Sequence, residues 1–330
     1  MVRMSRSNNI SPANFEFLVA QAVKAPSGHN TQPWKFRQNE SAVEIYPDFD
    51  RRLPVVDPDD RELFVSLGCA VENLCLAAQT NGYKSAVSVG DKGVITVSLA
   101  EEAGVKPSPL FNQIDARQTN RSVYSGEEIA LDALKRLQAI RGEDGVSVHY
   151  YARQTKQFNN IEQYVLRGNT HQMQNEAFKA ELKSWMRFNK KHQDQTLDGL
   201  SYAVFGAPNV PRWMAEPIMA MAINAKTQNK ADREKIASAS HLVLFTTREN
   251  SRREWVSLGR TLQRFLLTIT ELGIVHAYLN QPNEEAEIAS EMTRTLGLDG
   301  EYPTILLRIG YGERQAYSKR RSIGDVIAAD

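Results

Sequence analysis

Three polar segments of this 330-residue chain carry side chains able to hold a ligand. The first reads Ala25-Pro26-Ser27-Gly28-His29-Asn30-Thr31-Gln32-Pro33-Trp34. Proline and glycine end a helix here, and a run of small polar residues does not pack as a strand. Backbone N–H groups with Ser27, Asn30 and Gln32 suit the edge of a planar heterocycle, because Asn and Gln present donor and acceptor together. A helix-terminating loop with a capping Ser or Asn has the same composition, and His29 in it can equally point to water. The second segment runs from Ala116 to Tyr124 and places Arg117 and Arg121 four apart, with the hydroxyl of Thr119 between them. Ahead of a helix N-terminus that spacing makes a phosphate clamp, or else a solvated basic turn. The third, Ser318 to Ile327, holds the adjacent cations Lys319, Arg320 and Arg321. It is either an inert basic tail or a docked one; Ile323, Val326 and Ile327 favour docking.

Other chemistries find no support. The six histidines are scattered, with no paired-ligand spacing, so no metal site is expected. The formal net charge of +1 gives no basic excess for nucleic acid. Cys69 and Cys75 fall in one apolar helical segment, roughly 9 Å apart along its axis, too far for a disulfide. With 42% apolar and 24% charged residues, a chain of this length buries a core without metal or disulfide support. No uninterrupted apolar run of about 18 residues predicts a membrane span. The stretch Met1–Asn9 is polar and lacks the apolar core of a secretory signal, so a cytoplasmic protein is expected.

The elements that would position these segments occur twice. Residues 61–83, RELFVSLGCAVENLCLAAQTNGY, and 252–274, RREWVSLGRTLQRFLLTITELGI, align without a gap. Gly68 and Gly259, like Gly82 and Gly273, are 191 positions apart, and Arg61/Arg252, Val65/Val256, Ser66/Ser257, Leu67/Leu258 and Leu76/Leu267 match in that register. Both copies have helical apolar spacing and end at a glycine suited to a helix C-terminus. Strand-like runs flank each: Val43–Tyr46 and Val94–Leu99 around the first, His241–Thr246 and Thr304–Ile309 around the second. A helix opens each half, over about 11–25 and about 127–140. Two halves result, 1–110 and 111–330, with the boundary where Pro107 and Pro109 interrupt regular structure. The second half carries a helical insertion over about 155–235, where Trp185 and Phe188 read as core anchors. Two such halves are expected to pack as a pseudo-dimer, with a shared site between them.

Taken together, the motifs resemble the nitroreductase superfamily. PSGHNTQPW is similar to its PSxxNxQPW loop, Arg117–Tyr124 to its RxSxRxY opening, and both SLG helices to its central helix. IGYGE at 309–313 with the following KRRSIGDVI is similar to its closing strand and basic tail. The fused single-chain form resembles the Acg-like branch. The resemblance implies an α+β fold, an α/β/α sandwich duplicated as a pseudo-dimer, that binds FMN between the halves. It places Arg117, Thr119, Arg121, Lys319, Arg320 and Arg321 at the phosphate and ribityl chain. Pro26, Ser27, Gly28, His29 and Asn30 would face the ribityl and ring, and Leu279 and Asn280 the ring edge. The first half has no RxSxR opening, and the second half no counterpart of PSGHNTQPW, so one FMN per chain is expected. The implied activity is ping-pong hydride transfer from NAD(P)H through the flavin to a nitro or quinone acceptor. No side-chain nucleophile or base is needed for it. A lid formed by the insertion would alternatively make an FMN-sequestering protein without turnover. The expected partner is a small-molecule acceptor, with no nucleic acid or membrane, and the pseudo-dimer is a monomer open to further association.

Overall fold

Helix α1 (Pro12–Ala22) begins where the sequence provides both start signals: Ser11 accepts a hydrogen bond from the Asn14 N–H at 3.2 Å, and Pro12 occupies the first turn. It buries Phe15, Leu18 and Val19 against α2 (Arg61–Thr80). Between them lie the strands β1 (Trp34–Asn39) and β2 (Ala42–Pro47), and after α2 come β3 (Tyr83–Val89) and β4 (Ile95–Glu101). These four form an antiparallel sheet in the order β1-β2-β4-β3. The structure, a computed structural model, describes residues 9–328. The N-terminal stretch read for a signal therefore lies outside the described residues, apart from Asn9.

The second half repeats this connection plan. After α3 (Leu131–Gln138) and β5 (Val146–Ala152), β8 (His241–Thr247), α9 (Arg252–Glu271), β9 (Val275–Tyr278) and β10 (Tyr302–Gly310) build an antiparallel sheet in the order β5-β8-β10-β9. Matched element for element, this is the order of the first sheet. The two central helices pack directly on each other. A Cβ on Gly68 would collide with the Val256 carbonyl and lie 2.9 Å from Gly259 Cα, and a Cβ on Gly259 would collide with the Val65 carbonyl. The backbones therefore meet at a reciprocal glycine contact that no other residue permits. Around it, Glu72 accepts from Arg260 at 3.1 Å and Arg264 at 2.6 Å, and Gln263 donates to Asn73 at 2.7 Å. An 18-residue window of α2 is apolar enough for a membrane span, yet 89% of it is buried inside the fold. Cys69 and Cys75 are buried, free thiols of this helix.

The insertion divides into two parts. Its outer helices, α4 (Lys156–Gln174) and α8 (Ala225–Ala237), join α10 (Ala286–Leu296) over the face of the second sheet turned away from α9; Phe158, Ile161 and Val165 pack with Ile236, Leu242, Leu244, Leu306 and Met292. Those helices are core rather than lid. The middle part reaches back to the first half: α5 (Glu176–Ser184), β6 (Met186–Arg187), α6 (Lys190–Thr196), β7 (Leu200–Ser201) and α7 (Arg212–Ala222). Helix α5 stops at Ser184, and Phe188 beyond it is a buried anchor packed with Met186 and Ala215. Glu181 accepts from the Val55 and Val56 N–H groups at 3.0 and 2.9 Å. Buried Asp198 pairs with Arg51 of the first half and with Arg187 at 2.7 Å. Both guanidiniums lie over the Trp185 ring, 5.4 and 5.6 Å from its centroid. The C-terminal tail docks, as its apolar residues predict. Helix α11 (Ile323–Val326) starts at a Ser322/Asp325 capping box, and Ala328 N–H donates to the Phe36 carbonyl of β1 at 2.8 Å.

Candidate functional site

A cavity of about 540 Å³ opens between the halves, a volume within the usual range for small-molecule sites. The loop after α1 forms one wall. His29, Asn30 and Gln32 all have left-handed backbones (φ 46°, 56° and 55°), a conformation that costs energy in residues other than glycine and needs fastening. Much of the loop's polarity provides it. Ser27 Oγ accepts from Gln32 N–H at 2.9 Å, and the Asn30 amide donates to the Gly199 and Lys319 carbonyls at 3.2 and 3.1 Å. The Gln32 amide donates to Leu197 at 2.9 Å and accepts from Arg321 N–H at 2.8 Å. Gln32 therefore clips the insertion and the tail to the first half instead of facing a ligand. Asn30 Oδ1 and His29 Nδ1 are left without partners. Burial and the nearby Arg121 push the His29 imidazole down to about 4, so it is neutral near pH 7.

Opposite the loop, the segment before α3 delivers Arg117, Thr119 and Arg121 to the cavity, and the tail delivers Arg320. Among the described residues no carboxylate lies within ion-pair distance of these three arginines. Arg117 is only 5% exposed; among the described residues its side chain makes one hydrogen bond, 3.3 Å to the Lys24 carbonyl, and its Nε and Nη1 are unpartnered. Burial destabilises its charge, as it does that of Arg121. Burial and the neighbouring Arg117 push Arg320 down to about 9, while its Nε and Nη2 donate to the Val23 and Ala25 carbonyls at 3.1 and 3.2 Å. A buried, unpaired guanidinium beside a second cation requires an anion. Phosphate, with several acceptor oxygens, matches the donors left open.

Of the thirteen expected site residues, ten line this cavity: Pro26, Ser27, Gly28, His29, Asn30, Arg117, Thr119, Arg121, Asn280 and Arg320. Three do not. Leu279 points to the other side of the strand end, into the outer core with Ile288 and Met292, and its N–H is spent on the Leu306 carbonyl at 2.9 Å. Side-chain alternation at this strand end sends Tyr278 and Asn280 to the cavity and Leu279 away from it. Arg321 turns away from the cavity, donating to the Gln32 and Asp325 carbonyls at 3.4 and 2.6 Å and lying 3.8 Å from Asp48. Lys319 is half exposed and faces Asp194 at 4.0 Å. Asn280 lines the cavity, but its amide is committed: it donates to Glu62 and accepts from Leu306 N–H at 2.8 Å. The cavity also contains residues that the motifs did not indicate, among them Glu62, Gln172 and Glu284 on one side and Phe178, Leu182 and Phe205 from the insertion.

The sequence model of the Nitroreductase family matches residues 114–311, more than half of the chain, from just before Arg117 to the end of the last strand. The chain belongs to the nitroreductase family. Two relatives from Mycobacterium tuberculosis, strains H37Rv and CDC 1551, each bear the name "Putative NAD(P)H nitroreductase". Both are 26% identical to this family member, with 94% of this chain and 90% of each relative covered. Among solved structures, the FMN-dependent nitroreductase NfnB of Mycobacterium smegmatis in complex with NADPH is similar at 12% identity. The match covers 66% of this chain and 96% of that one, with a TM-score of 0.43. The family match takes in Arg117, Thr119, Arg121 and Asn280; the loop around Ser27 and the tail arginine Arg320 lie outside it.

Proposed function

We propose that this nitroreductase-family chain is an FMN-dependent NAD(P)H oxidoreductase that reduces a nitro- or quinone-type acceptor. It would bind one FMN per chain between two homologous halves, 1–110 and 111–330, packed as a pseudo-dimer. The observation that carries this reading is the desolvated Arg117, which lines the cavity with two guanidinium nitrogens unpartnered and, among the described residues, no anionic partner. Arg117, Arg121 and Arg320 would hold the phosphate, and Thr119 and Ser27 the ribityl chain. Neutral His29 and the open Oδ1 of Asn30 would meet polar groups of the ring without adding charge. When bound, the flavin supplies two-electron hydride chemistry, and the protein orients and tunes it. Reductant and acceptor would use the same open face in turn, which is the basis of ping-pong kinetics.

One observation favours a second reading, an FMN-sequestering protein without turnover. Phe178, Leu182, Met186, Leu200 and Phe205 of the insertion line the cavity, and Asn30, Gln32 and Arg51 clasp that segment to the first half. The test of the main reading is the visible spectrum of the protein, followed anaerobically on adding NADPH and then NADH. Bleaching of the flavin bands supports the oxidoreductase. Bands that persist with both nucleotides support sequestration. In parallel, Arg117→Ala with Arg121→Ala should abolish flavin retention while circular dichroism is unchanged; a yellow double variant would remove the phosphate assignment.

A further inference from the structure

One wall of the cavity carries two carboxyl groups within hydrogen-bonding reach of each other, Glu62 from the first turn of α2 and Glu284 from the loop before α10. The groups facing Glu284 are Glu62 and Arg61 from α2 and Gln172 from α4; Asp57, just ahead of α2, faces Glu62. Amide donors hold the outer oxygens: Gln172 Nε2 donates to Glu284 Oε2 at 2.5 Å, and Asn280 Nδ2 to Glu62 Oε1. Arg61 does not neutralise the pair as an ion-pair partner; it donates to the Asn283 and Pro303 carbonyls at 2.6 and 3.4 Å. Two carboxylates in contact repel each other, so a proton held between them is favoured at rest. Burial and Glu62 hold Glu284 well above the usual carboxylate range. The pair also reaches the flavin-binding loop, because a Cβ on Gly28 would lie 3.4 Å from Glu62 Oε2. The same cavity contains the unpartnered Arg117, an independent sign that it takes a ligand.

We propose that Glu284 and Glu62 form a proton-sharing pair that protonates the acceptor as it is reduced in this cavity. The proposal rests on the oxidoreductase reading and names a group that the reading leaves open. Reduction of a quinone consumes two electrons and two protons. The nicotinamide nucleotide is oxidised and supplies both electrons and one proton as a hydride equivalent. The second proton leaves the carboxyl O–H of the pair and forms an O–H bond on the quinone oxygen, leaving two carboxylates. Solvent returns that proton, so NAD(P)H, quinone and one proton give NAD(P)+ and hydroquinone.

The test uses the full-length holoprotein and its Glu284→Gln and Glu62→Gln variants, each checked for flavin content and melting temperature. Photochemically reduced protein is mixed with a benzoquinone or with ferricyanide, and the return of the oxidised absorbance is followed. Ferricyanide takes single electrons and no proton. The expected result is about a 10²-fold slower reaction of Glu284→Gln with quinone, the scale of general acid catalysis, and an unaltered reaction with ferricyanide. Equal slowing with both oxidants, or no slowing with either, overturns the proposal. A second readout is independent of turnover: in the Asp57→Asn background, the infrared spectrum near pH 7 should show a protonated-carboxyl C=O band, shifted in D2O, that disappears on adding Glu284→Gln. Its absence from the Asp57→Asn protein overturns the shared proton. Photoreduction bypasses the nucleotide, so failure of NAD(P)H to bleach the flavin sinks the oxidoreductase reading without deciding the fate of the pair.

Discussion

The two charged ends of the cavity are built on opposite plans. At one end, among the described residues, Arg117 and Arg121 stand without a carboxylate, and two of the Arg117 donors have no partner. At the other, Glu62 and Glu284 each accept an amide N–H from the protein and lie in reach of one another. A buried charge left unpaired costs stability, and that cost is recovered only when a ligand brings the counter-charge. A carboxyl pair supported by amides and a shared proton needs no ligand. The cationic end therefore reads as a seat for an anion, and the acidic end as a device of the protein itself. Substitution should accordingly have opposite consequences for stability at the two ends.

The largest effect is expected at Arg117. Arg117→Ala should weaken FMN binding by about ten- to a hundredfold, the loss of a hydrogen bond to a charged group, as read by fluorescence titration. The flavin-free variant should melt at a higher temperature than the flavin-free parent, because an unpaired buried cation is gone. A lower melting temperature would mean that Arg117 is structural. Asn280→Ala breaks the other end. It removes the donor to Glu62 and the acceptor of Leu306 N–H, and should cost about 1–3 kcal/mol in urea unfolding, with FMN affinity changed far less than in Arg117→Ala.

Asp57 sharpens the contrast through pH. Burial and Glu62 push it up to about 7. A carboxyl group whose folded value is raised binds more protons in the folded than in the unfolded state, so stability falls as pH rises from about 4 to 7 and the penalty persists above 7. Asp57→Asn should match the parent at pH 4 and be more stable at pH 8, by on the order of 1 kcal/mol or more. Equal stability of the two at pH 8 would contradict the burial of a charged Asp57. The smallest effect belongs to the clasp. Asp198→Asn weakens two arginine contacts of the insertion and should speed proteolytic nicking there with little change in global melting. Unchanged nicking would show that Glu181 and the Asn30 and Gln32 amides suffice.

Legibility in the sequence followed the range of the interactions. The helices α2 and α9 were clear because apolar periodicity over twenty residues is a local signal, and their gap-free alignment with a strand-like run before and after each exposed the repeated order. Strands β1, β3, β5 and β9 were not read. β3 and β5 have little buried surface, β1 follows the loop without a break, and β9 spans four residues. The basic motif and the Ser27 loop were legible as polar runs with defined spacing, and ten of their expected residues and neighbours meet in one cavity. The roles within them were not. Whether Gln32, Arg321 or Leu279 faces the cavity depends on side-chain direction, which a motif does not encode. Glu62 and Glu284 gave no signal, since one resembles an ordinary acidic residue of a helix first turn and the other lies in a polar loop. Only the fold brings them together.

FMN and riboflavin, the same ring without phosphate, distinguish a phosphate seat at Arg117 when each is titrated into the flavin-free protein and into Arg117→Ala. The parent should bind FMN at least a hundredfold more tightly than riboflavin, and the variant should lose most of that preference while its riboflavin affinity stays the same. Equal binding of the two flavins by the parent, or a preference that survives in Arg117→Ala, would contradict the assignment of the unpaired cations to a phosphate.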